Sequence, residues 1–441
     1  MERTPMRWFI YNLFFAVGYT AMLPHFLLRM RRRGGYRARW RDRFGRYDDA
    51  TQRRLHAADA PRRIWIHAVS VGEVYVAGQL MRELRRRAPT LRFVLSTTSS
   101  TGWREAEKQL APDDVLIYNP LDFPGCVRRA LDAVRPERYI LIESEIWPNL
   151  LRACAARGIP AYLVNARVSD RSAPGYRALR VWFGPVLRSL RLILAQSDLD
   201  RQRLLAAGAD PERTRVVGSV KFDVAERNTE KEALAAAILA RADMGKDRVV
   251  LVGGSTWPGE EAALLNLYAR ARASQPNLRL VLIPRHFERA EAVVAEIEQA
   301  GFVCIRRSRT TAVDRPPADG AAVLLVDTTG EMMGFYGNAD LAFVGKSLCA
   351  HGAQNMIEPC LCGVATVVGP YTENFRPVVA DLLAADALIQ VSDAAALERE
   401  LTHLAHDPAA RRELGRRAAA AVNRRRGVVG ICAGLLLERE R

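Results

Sequence analysis

The sequence has little of what marks disulfide-bonded, metal-binding or P-loop proteins. Its seven cysteines are odd in number and scattered, and only Cys360 and Cys362 stand close together, in a C-x-C spacing that is a poor metal signature. The paired glycines Gly253 and Gly254 stand in neither a G-x-G-x-x-G fingerprint nor a G-K-[ST] loop. The sequence therefore predicts buried, reduced thiols in a cytosolic protein body.

Charge is absent from one long stretch and almost entirely positive in the next. Residues 8–28 contain no charged side chain, and such a stretch can cross a bilayer as a helix or lie along its surface. Residues 29–46 then carry nine arginines and a single acid, Asp42. No small-residue cleavage pattern follows, so a removed signal peptide is not expected. Residues 1–47 are therefore predicted to be a membrane anchor with a basic segment that contacts anionic lipids.

The basic segment also limits where the protein acts and what it binds. The net charge of the 441-residue chain is +16, and nucleic acid is the rival partner for such an arginine run. Its position beside an apolar segment favours the membrane instead, so no nucleic-acid partner is predicted. By the positive-inside rule, the arginines and the whole chain behind them stay in the cytoplasm.

The rest of the chain alternates short apolar runs with helical stretches, which is typical of parallel sheets with crossover helices. We predict an α/β fold of two Rossmann-like, doubly wound domains, one at residues 48–223 and one at 248–425. Residues 215–223 are expected to form the last strand of the first domain, and residues 224–247 to link the two domains. A final helix at 426–441 is expected to pack back on the N-terminal domain.

The stretch RIWIHAVSVGEVY, residues 63–75, predicts a buried strand, a tight loop and a helix start. Ligands bind outside the carboxyl ends of parallel strands, so Glu73 is expected to lie in a ligand-binding or catalytic site. An acidic residue in a first helical turn also stabilises the helix dipole, and this stretch alone supports both interpretations. Glu143 and Glu145 follow another strand in the same way, and the sequence does not say which of them faces a ligand.

In the second half, a strand at 249–252 leads into Gly253-Gly254-Ser255-Thr256, with Pro258 expected in the first turn of the next helix. A strand, paired glycines and a helix N-terminus are typical of an anion cradle. The strand at 278–283 delivers Arg285 and His286 to the same edge, and the planar fork of arginine suits phosphate oxygens.

Asn355 and Glu358 stand three residues apart, so they share a helix face and are candidates for binding hydroxyl groups. Two such domains would place the carboxyl ends of both sheets on one cleft. That is the arrangement of GT-B glycosyltransferases, whose twin Rossmann-like domains face each other across a cleft.

Nine ordered blocks, which span essentially the whole chain, resemble the Kdo transferases. These enzymes move 3-deoxy-D-manno-octulosonic acid (Kdo) from CMP-Kdo to a lipid A precursor. The blocks are HAVSVGEV, ESEIWPNL, NARVSDRS, VGSVKFD, GGSTWPGEE, PRHFER, DTTGEM, HGAQNMIEP and GPYTENF.

The resemblance implies an inverting transferase of lipopolysaccharide assembly at the cytoplasmic face of the inner membrane, with CMP-Kdo as donor and lipid IVA as acceptor. It implies that Glu73 is the catalytic base. The acceptor-side residues that it implies are Ser70, Gly72, Glu143 and Glu145. The donor-side residues are Gly254, Ser255, Thr256, Arg285, His286, Gly330, Glu331, Lys346, Asn355 and Glu358, with Lys221 assisting. No Asp-x-Asp motif stands where a diphosphate-sugar enzyme uses one, and no obligatory metal or other cofactor is predicted.

The chain departs from the family pattern at one block. Lys346 stands where the family more often has glycine, and Ala353-Gln354 where it more often has glycine-histidine. Lys346 either adds a phosphate contact or changes the local backbone freedom. Two rival functions are a UDP-sugar transferase or epimerase of the same architecture, which CMP and UDP binding would separate, and a non-catalytic membrane-bound nucleotide sensor, which has no use for Glu73.

Overall fold

The computed structural model describes residues 4–33, 37–56, 63–245, 247–309 and 321–438. The chain divides into two compact units. The N-terminal unit comprises residues 1–224 together with 427–441, and the C-terminal unit comprises residues 225–426. Each unit is built on one seven-stranded parallel sheet, which confirms the two predicted Rossmann-like domains.

The N-terminal sheet has the strand order β3-β2-β1-β4-β5-β6-β7. Almost every strand residue is buried, because helices cover both faces of a parallel sheet. The strands are β1 (Ile64–His67), β2 (Phe93–Thr97), β3 (Val115–Tyr118), β4 (Arg138–Ile142), β5 (Ala161–Ala166), β6 (Leu192–Ala195) and β7 (Thr214–Val216). The helices are α1 (Thr4–Arg33), α2 (Asp49–Leu55), α3 (Val71–Arg87), α4 (Ser100–Glu107), α5 (Pro124–Val134), α6 (Pro148–Ala156), α7 (Ala173–Ala178), α8 (Arg180–Ser189), α9 (Asp198–Ala206) and α10 (Lys221–Val224), with a 3-10 segment at Arg37–Phe44.

The C-terminal sheet has the order β10-β11-β9-β8-β12-β13-β14. Its strands are β8 (Val249–Thr256), β9 (Leu278–Pro284), β10 (Val303–Arg306), β11 (Ala322–Leu325), β12 (Leu341–Val344), β13 (Ala365–Val368) and β14 (Ile389–Gln390). Its helices are α11 (Thr229–Arg241), α12 (Glu260–Ser274), α13 (Ala290–Gln299), α14 (Met332–Tyr336), α15 (Ile357–Leu361), α16 (Arg376–Ala384), α17 (Ala394–His406) and α18 (Pro408–Arg424). A last helix, α19 (Val428–Leu437), belongs to the N-terminal unit and packs on α3.

Each sheet has a point where its strand order reverses. In the N-terminal sheet this point lies between the paired strands β1 and β4, and in the C-terminal sheet between β8 and β12. At such a point the loops that follow the two strands leave in opposite directions and open a crevice for a ligand. Glu73 follows β1 in the first turn of α3, and Glu143 and Glu145 follow β4, so the topology brings these carboxylates to one place.

One carboxylate holds the chain where it leaves and re-enters the N-terminal unit. Asp223, in α10, accepts hydrogen bonds from the main-chain N–H groups of Gly427 at 2.6 Å and Val429 at 2.7 Å. The first turn of α19 is thereby fixed beside α10.

The structure differs from the predicted elements between the sheets. Residues 215–223 were expected to form one strand, but β7 ends at Val216 and Lys221 lies in α10, because Gly218 turns the chain with a φ of +97°. The predicted linker, residues 224–247, contains α11, which buries Ile238 and Leu239 and packs on α14. Its alanine-rich sequence therefore forms part of the C-terminal core.

The glycine-rich block of the second unit also folds differently from the expectation. Gly253 and Gly254 lie inside β8, which continues to Thr256, and are not in a loop. Helix α12 begins at Glu260, after Gly259 with a φ of +91°, so Pro258 precedes the helix. The two-residue strand β14 had no counterpart in the sequence prediction.

Helix α1 covers the charge-free stretch, and one of its faces packs on the N-terminal unit. Trp8 is buried, Tyr11 donates a hydrogen bond to Asp122 at 3.0 Å, and Phe15 packs edge-on against Phe123. Asn149 donates to the Asn12 side chain at 2.7 Å. The opposite face is apolar and open to solvent, with exposed fractions between 54% and 69%; its residues are Met6, Phe9, Leu13, Phe14 and Val17.

Among the described residues, no helix combines the length and the apolar character that a bilayer crossing requires. The side chains of residues 29–38, which include most of the basic run, lie outside the described part of the structure.

Candidate active site

Glu73 lies in the first turn of α3, where the chain leaves β1. Its Oε1 accepts a hydrogen bond from the Ser70 hydroxyl at 2.8 Å, and its Oε2 accepts one from the Val69 N–H at 2.9 Å. The Ser70 hydroxyl in turn accepts from the Glu73 N–H at 3.3 Å, which completes a capping box. Glu73 therefore has the structural role of a helix cap, whatever its chemical role.

The same position changes the acidity of Glu73. Burial raises the pKa of its carboxyl, the Val69 N–H opposes that rise, and the negative charge of Glu143 adds to it. A raised pKa makes a carboxylate a stronger base near neutral pH. Ser70 and Gly72 are both exposed beside it, and a Cβ added to Gly72 would meet only the Ser70 hydroxyl, at 3.9 Å.

Glu143 follows β4 and has a left-handed backbone, with a φ of +64°. Its Oε1 lies 3.3 Å from the Lys221 ammonium and accepts a hydrogen bond from the Asn165 amide, also at 3.3 Å. Lys221 therefore contacts an acceptor-side carboxylate within the N-terminal unit, whereas the sequence analysis had grouped it with the donor residues.

Asn165 is a positioning residue of this site that the sequence analysis did not single out. It is fully buried, with a φ of +56°, and its side-chain oxygen accepts from the Val220 N–H at 3.1 Å. Because its amide also donates to Glu143, it fixes Lys221 and Glu143 relative to each other. The only indication of this role in the sequence is that Asn165 follows a predicted buried strand, and many asparagines stand in such a position.

Glu145 is half-buried, and its carboxylate accepts no hydrogen bond from the described residues. Burial, followed by the negative charges of Glu73 and Glu143, raises its pKa from 4.5 to about 7. The structure thus brings three of the predicted acidic residues together and leaves one of them without a compensating partner.

This arrangement predicts a pH-dependent gain in stability for Glu145→Gln. Between the ordinary pKa of 4.5 and about 7, the folded protein binds more protons than the unfolded chain, so stability falls as the pH rises through that window. The variant lacks the charge, so its Tm should exceed that of the wild type at about pH 8, by the equivalent of about 1–2 kcal/mol, and match it at about pH 4.

Thermal unfolding at the two pH values measures this difference. The control is Glu83→Gln, because two arginines lower the pKa of Glu83 to about 2 and its substitution should reduce stability at the higher pH. Equal Tm values for Glu145→Gln and the wild type at about pH 8 would contradict the raised pKa.

In the C-terminal unit, the last residues of β8 are held by internal contacts. A Cβ added to Gly254 would come within 1.8 Å of the Tyr336 hydroxyl, so close packing requires this glycine. The Thr256 side chain is fully buried and donates to Glu261 at 2.9 Å. Ser255 has a φ of +54°, and its hydroxyl lies 3.4 Å from the Met332 sulfur.

Arg285 and His286 are exposed where β9 ends. The Arg285 guanidinium makes no ion pair with a described residue, so its fork is open to a ligand anion. The His286 ring lies edge-on to the Trp257 ring, with 5.6 Å between the centroids.

Glu358 stands in the first turn of α15 beside Asn355. The Asn355 amide donates to Glu358 Oε1 at 3.0 Å, while Oε2 is buried and has no hydrogen-bond partner among the described residues. Burial raises the Glu358 pKa to about 7, against the effects of Asn355 and the positive charge of Arg285. A buried carboxylate oxygen without a donor is suited to a ligand hydroxyl.

Three further donor-side residues have partners within the C-terminal unit. Lys346 has a φ of +59°, and its ammonium lies 4.8 Å from the centre of the Trp257 ring. It thus keeps the left-handed backbone that favours glycine, which explains the glycine of the family pattern. Glu331 is bound by Arg307 at 2.9 Å and by the Thr328 hydroxyl at 2.5 Å, and the Gly330 carbonyl accepts from Lys231 at 2.8 Å.

The part of the chain that the structure describes contains no cluster of three or more His, Cys, Asp or Glu side chains that could hold a metal ion. All seven cysteines are unpaired, and Cys349 is exposed, whereas the sequence analysis expected buried thiols.

Two solved structures resemble the chain in fold. A UDP-GlcNAc 2-epimerase from Neisseria meningitidis bound to UDP-GlcNAc has a TM-score of 0.56 at 12% identity, over 86% of this chain and 100% of that one. A glycosyltransferase from Rickettsia africae has a TM-score of 0.57 at 10% identity, over 85% and 97% of the two chains. At these identities the likeness shows the twin Rossmann-like fold alone.

The sequence relatives are more specific. A family model described as 3-deoxy-D-manno-octulosonic-acid transferase (kdotransferase) matches residues 38–224. A 3-deoxy-D-manno-octulosonic acid transferase from Haemophilus influenzae is 33% identical over 381 residues, which cover 86% of both chains. The transferase of the same description from Bordetella pertussis is 38% identical over 372 residues, which cover 81% of this chain and 82% of that one. Because these similarities extend over both units, the chain belongs to the Kdo transferase family and is a Kdo glycosyltransferase.

Proposed function

We propose that this transferase takes Kdo from CMP-Kdo and joins it to a sugar hydroxyl of lipid IVA, a step of lipopolysaccharide assembly at the cytoplasmic face of the inner membrane. The observation that carries the proposal is the group of three glutamates, Glu73, Glu143 and Glu145, at the reversal point of the N-terminal sheet. A sugar hydroxyl is a weak nucleophile, so the reaction needs a base at the place where the acceptor binds.

Glu73 is the proposed base. The acceptor oxygen forms a bond to the anomeric carbon of Kdo from the side opposite the phosphate, the bond from that carbon to the phosphate oxygen breaks, and CMP leaves. Glu73 takes the hydroxyl proton, and the configuration of the anomeric carbon is inverted. Its raised pKa and its exposed neighbours Ser70 and Gly72 support this role. Lys221 and Asn165 hold Glu143 in place beside it.

The donor is proposed to bind in the C-terminal unit. Arg285 has an exposed guanidinium without an ion pair to a described residue, and it would bind the departing phosphate. Glu358, with Asn355, would accept hydrogen bonds from the ribose hydroxyls, because its buried Oε2 has no donor in the described chain. A monophosphate leaving group can be stabilised by such side chains, so we propose that no metal is obligatory.

Incubation of the protein with CMP-Kdo and lipid IVA, followed by mass spectrometry of the lipid, tests the proposal. We expect the acceptor mass to increase by whole Kdo units, with the same yield in EDTA. UDP-sugars in place of CMP-Kdo are the control donors. An unchanged acceptor with CMP-Kdo, or transfer from a UDP-sugar, would contradict the proposed reaction.

We further propose that α1 anchors the enzyme by lying in the membrane interface. Its inner face is bound to the N-terminal unit through Trp8, Tyr11 and Asn12, so the helix and the protein body move together. The outer face presents apolar side chains to solvent, and an apolar helix face of this kind favours the boundary between lipid headgroups and acyl chains.

Vesicle sedimentation should show the effect of the exposed face. The double substitution Phe9→Ser with Phe14→Ser is expected to weaken binding to phosphatidylglycerol vesicles by about tenfold or more, because each buried phenylalanine contributes about 1.5–3 kcal/mol. The matched control is Leu234→Ser with Val303→Ser, which changes two exposed apolar side chains of the C-terminal unit. Equal binding by both double variants would contradict the proposed anchor.

A further inference from the structure

The carboxylate of Glu260, the first residue of α12, is entirely buried among main-chain N–H groups. Its Oε2 accepts from Trp257 at 2.9 Å and from Lys346 at 2.8 Å. Its Oε1 accepts from Ser347 and Leu348, each at 3.0 Å, and from Cys349 at 3.5 Å. One side chain thus binds five main-chain donors from two separate segments.

The two segments are the loops at the reversal point of the C-terminal sheet. Trp257 follows β8, and residues 345–349 follow β12, which is paired with β8. A Cβ added to Gly345 would come within 2.3 Å of the Ser255 carbonyl oxygen, so the two loops touch along their main chains. Ligands of open α/β sheets bind at such a point, and here Glu260 joins its two sides.

The position of Glu260 also determines what these amides can bind. A concave group of main-chain N–H donors is a binding site for phosphate in many nucleotide-binding loops. In this chain the carboxylate of Glu260 occupies that concavity, so the amides of residues 346–348 are not available to a ligand. What the loop can offer a donor is its outer surface, where the Lys346 ammonium lies over the Trp257 ring.

The left-handed backbone of this region needs such support. Ser255 and Lys346 both have positive φ angles, of +54° and +59°. Residues with a Cβ adopt this conformation only when their surroundings impose it. The hydrogen bond from the Lys346 N–H to Glu260 can impose the positive φ on Lys346 directly. The hydrogen bond from the Trp257 N–H can impose it on Ser255 through the chain between these two residues.

We propose that Glu260 is a positioning residue for the donor. It holds the loop that begins at Trp257 and the loop 345–349 in the one arrangement that binds CMP-Kdo and does not itself touch the donor. This inference rests on the proposed use of CMP-Kdo.

Glu261 provides a matched control. It is also fully buried, but within the described part of the chain its carboxylate binds only side chains, the Thr256 hydroxyl at 2.9 Å and the Arg289 guanidinium at 2.7 Å. It therefore connects β8 to the segment before α13 and makes no bond to residues 345–349. Glu261→Gln removes a buried charge from the next residue of the helix without removing the link between the two loops.

The test compares Glu260→Gln and Glu261→Gln in the full chain by calorimetric titration with CMP, by steady-state kinetics and by thermal unfolding. In Glu260→Gln, the side-chain NH2 group faces main-chain donors, so we expect the Kd for CMP and the KM for CMP-Kdo to rise by about tenfold or more, with the KM for lipid IVA unchanged. In Glu261→Gln we expect a lower Tm with unchanged CMP binding. If Glu260 had a purely structural role, its substitution would change the Kd for CMP, both KM values and the Tm together.

Two results would overturn the inference, and they are distinguishable. Wild-type protein that binds no CMP would overturn the proposed donor and the inference with it. Wild-type protein that binds CMP, with Glu260→Gln binding it equally well or Glu261→Gln losing it equally, would overturn the inference alone. If Glu260→Gln does not fold, Glu260→Asp, which keeps the charge on a shorter side chain, takes its place in the same comparison.

Discussion

Glu73→Gln should lower the kcat of Kdo transfer by about 10²–10⁴-fold, the usual contribution of a general base, while CMP binding stays unchanged. The substitution suits this question because glutamine also serves in a capping box. The bonds from Ser70 and Val69 can therefore persist, and the Tm should change little. Loss of turnover without loss of stability would separate the chemical role of Glu73 from its role as a helix cap.

The control for this experiment is Glu83→Gln, which makes the same change on the same helix. Among the described residues, the Glu83 carboxylate binds Arg86 and Arg87 alone. It should leave kcat unaltered. Full turnover by Glu73→Gln would contradict the proposed base and leave this glutamate with the role of a helix cap alone.

Arg285→Ala should reduce kcat/KM for CMP-Kdo by about 10²–10³-fold, because removing one group that stabilises the developing charge typically has this effect. A second consequence follows from Glu358. Arg285 lowers the pKa of that carboxyl, so its loss should raise the pKa further. In the proposed site, Glu358 accepts hydrogen bonds from the ribose hydroxyls when it is ionised, that is, above its pKa. As the pH is lowered, donor binding by the variant should therefore begin to weaken at a higher pH than donor binding by the wild type.

Kinetics across the neutral pH range, with CMP-Kdo varied at each pH, measure both effects. The control is Arg270→Ala, since Arg270 is an exposed arginine of α12 that pairs with Glu398 at 3.2 Å. If Arg285→Ala and Arg270→Ala have the same kcat/KM, Arg285 does not bind the leaving phosphate.

The fold was accessible from the sequence because both sheets are parallel. Buried parallel strands are apolar throughout, and the polar residues that follow them mark the carboxyl edge, so Glu73, Glu143 and Glu145 were placed at that edge from their positions. The roles predicted for them came from the family resemblance. Lys221 was misplaced in a strand because the turn at Gly218 depends on a backbone conformation that the apolar pattern does not encode. The bond between Lys221 and Glu143 joins residues far apart in the chain, and periodicity does not report such contacts.

Other features depended on tertiary packing. The pair Gly253-Gly254 was interpreted as a ligand loop, but Tyr336 packs against Gly254, and this contact comes from a distant helix. Glu260 follows a glycine at a helix start, where acidic residues are common, and four of its five main-chain partners lie 86 to 89 residues further along the chain. A sequence pattern shows neither the packing of Tyr336 against Gly254 nor the main-chain hydrogen bonds of Glu260.

The C-terminal unit is an insertion into the N-terminal unit. At the point of insertion, the carboxylate of Asp223 accepts hydrogen bonds from the N–H groups of Gly427 and Val429 and so joins the two ends of the N-terminal unit. The last residue before the insertion and the first after it lie close together, which is the condition under which a domain can be excised or transplanted. A short glycine-serine bridge in place of residues 225–426 should restore a continuous chain for the N-terminal sheet, and residues 225–426 can be produced as a separate polypeptide. Each half can then be tested for binding of the substrate proposed for it.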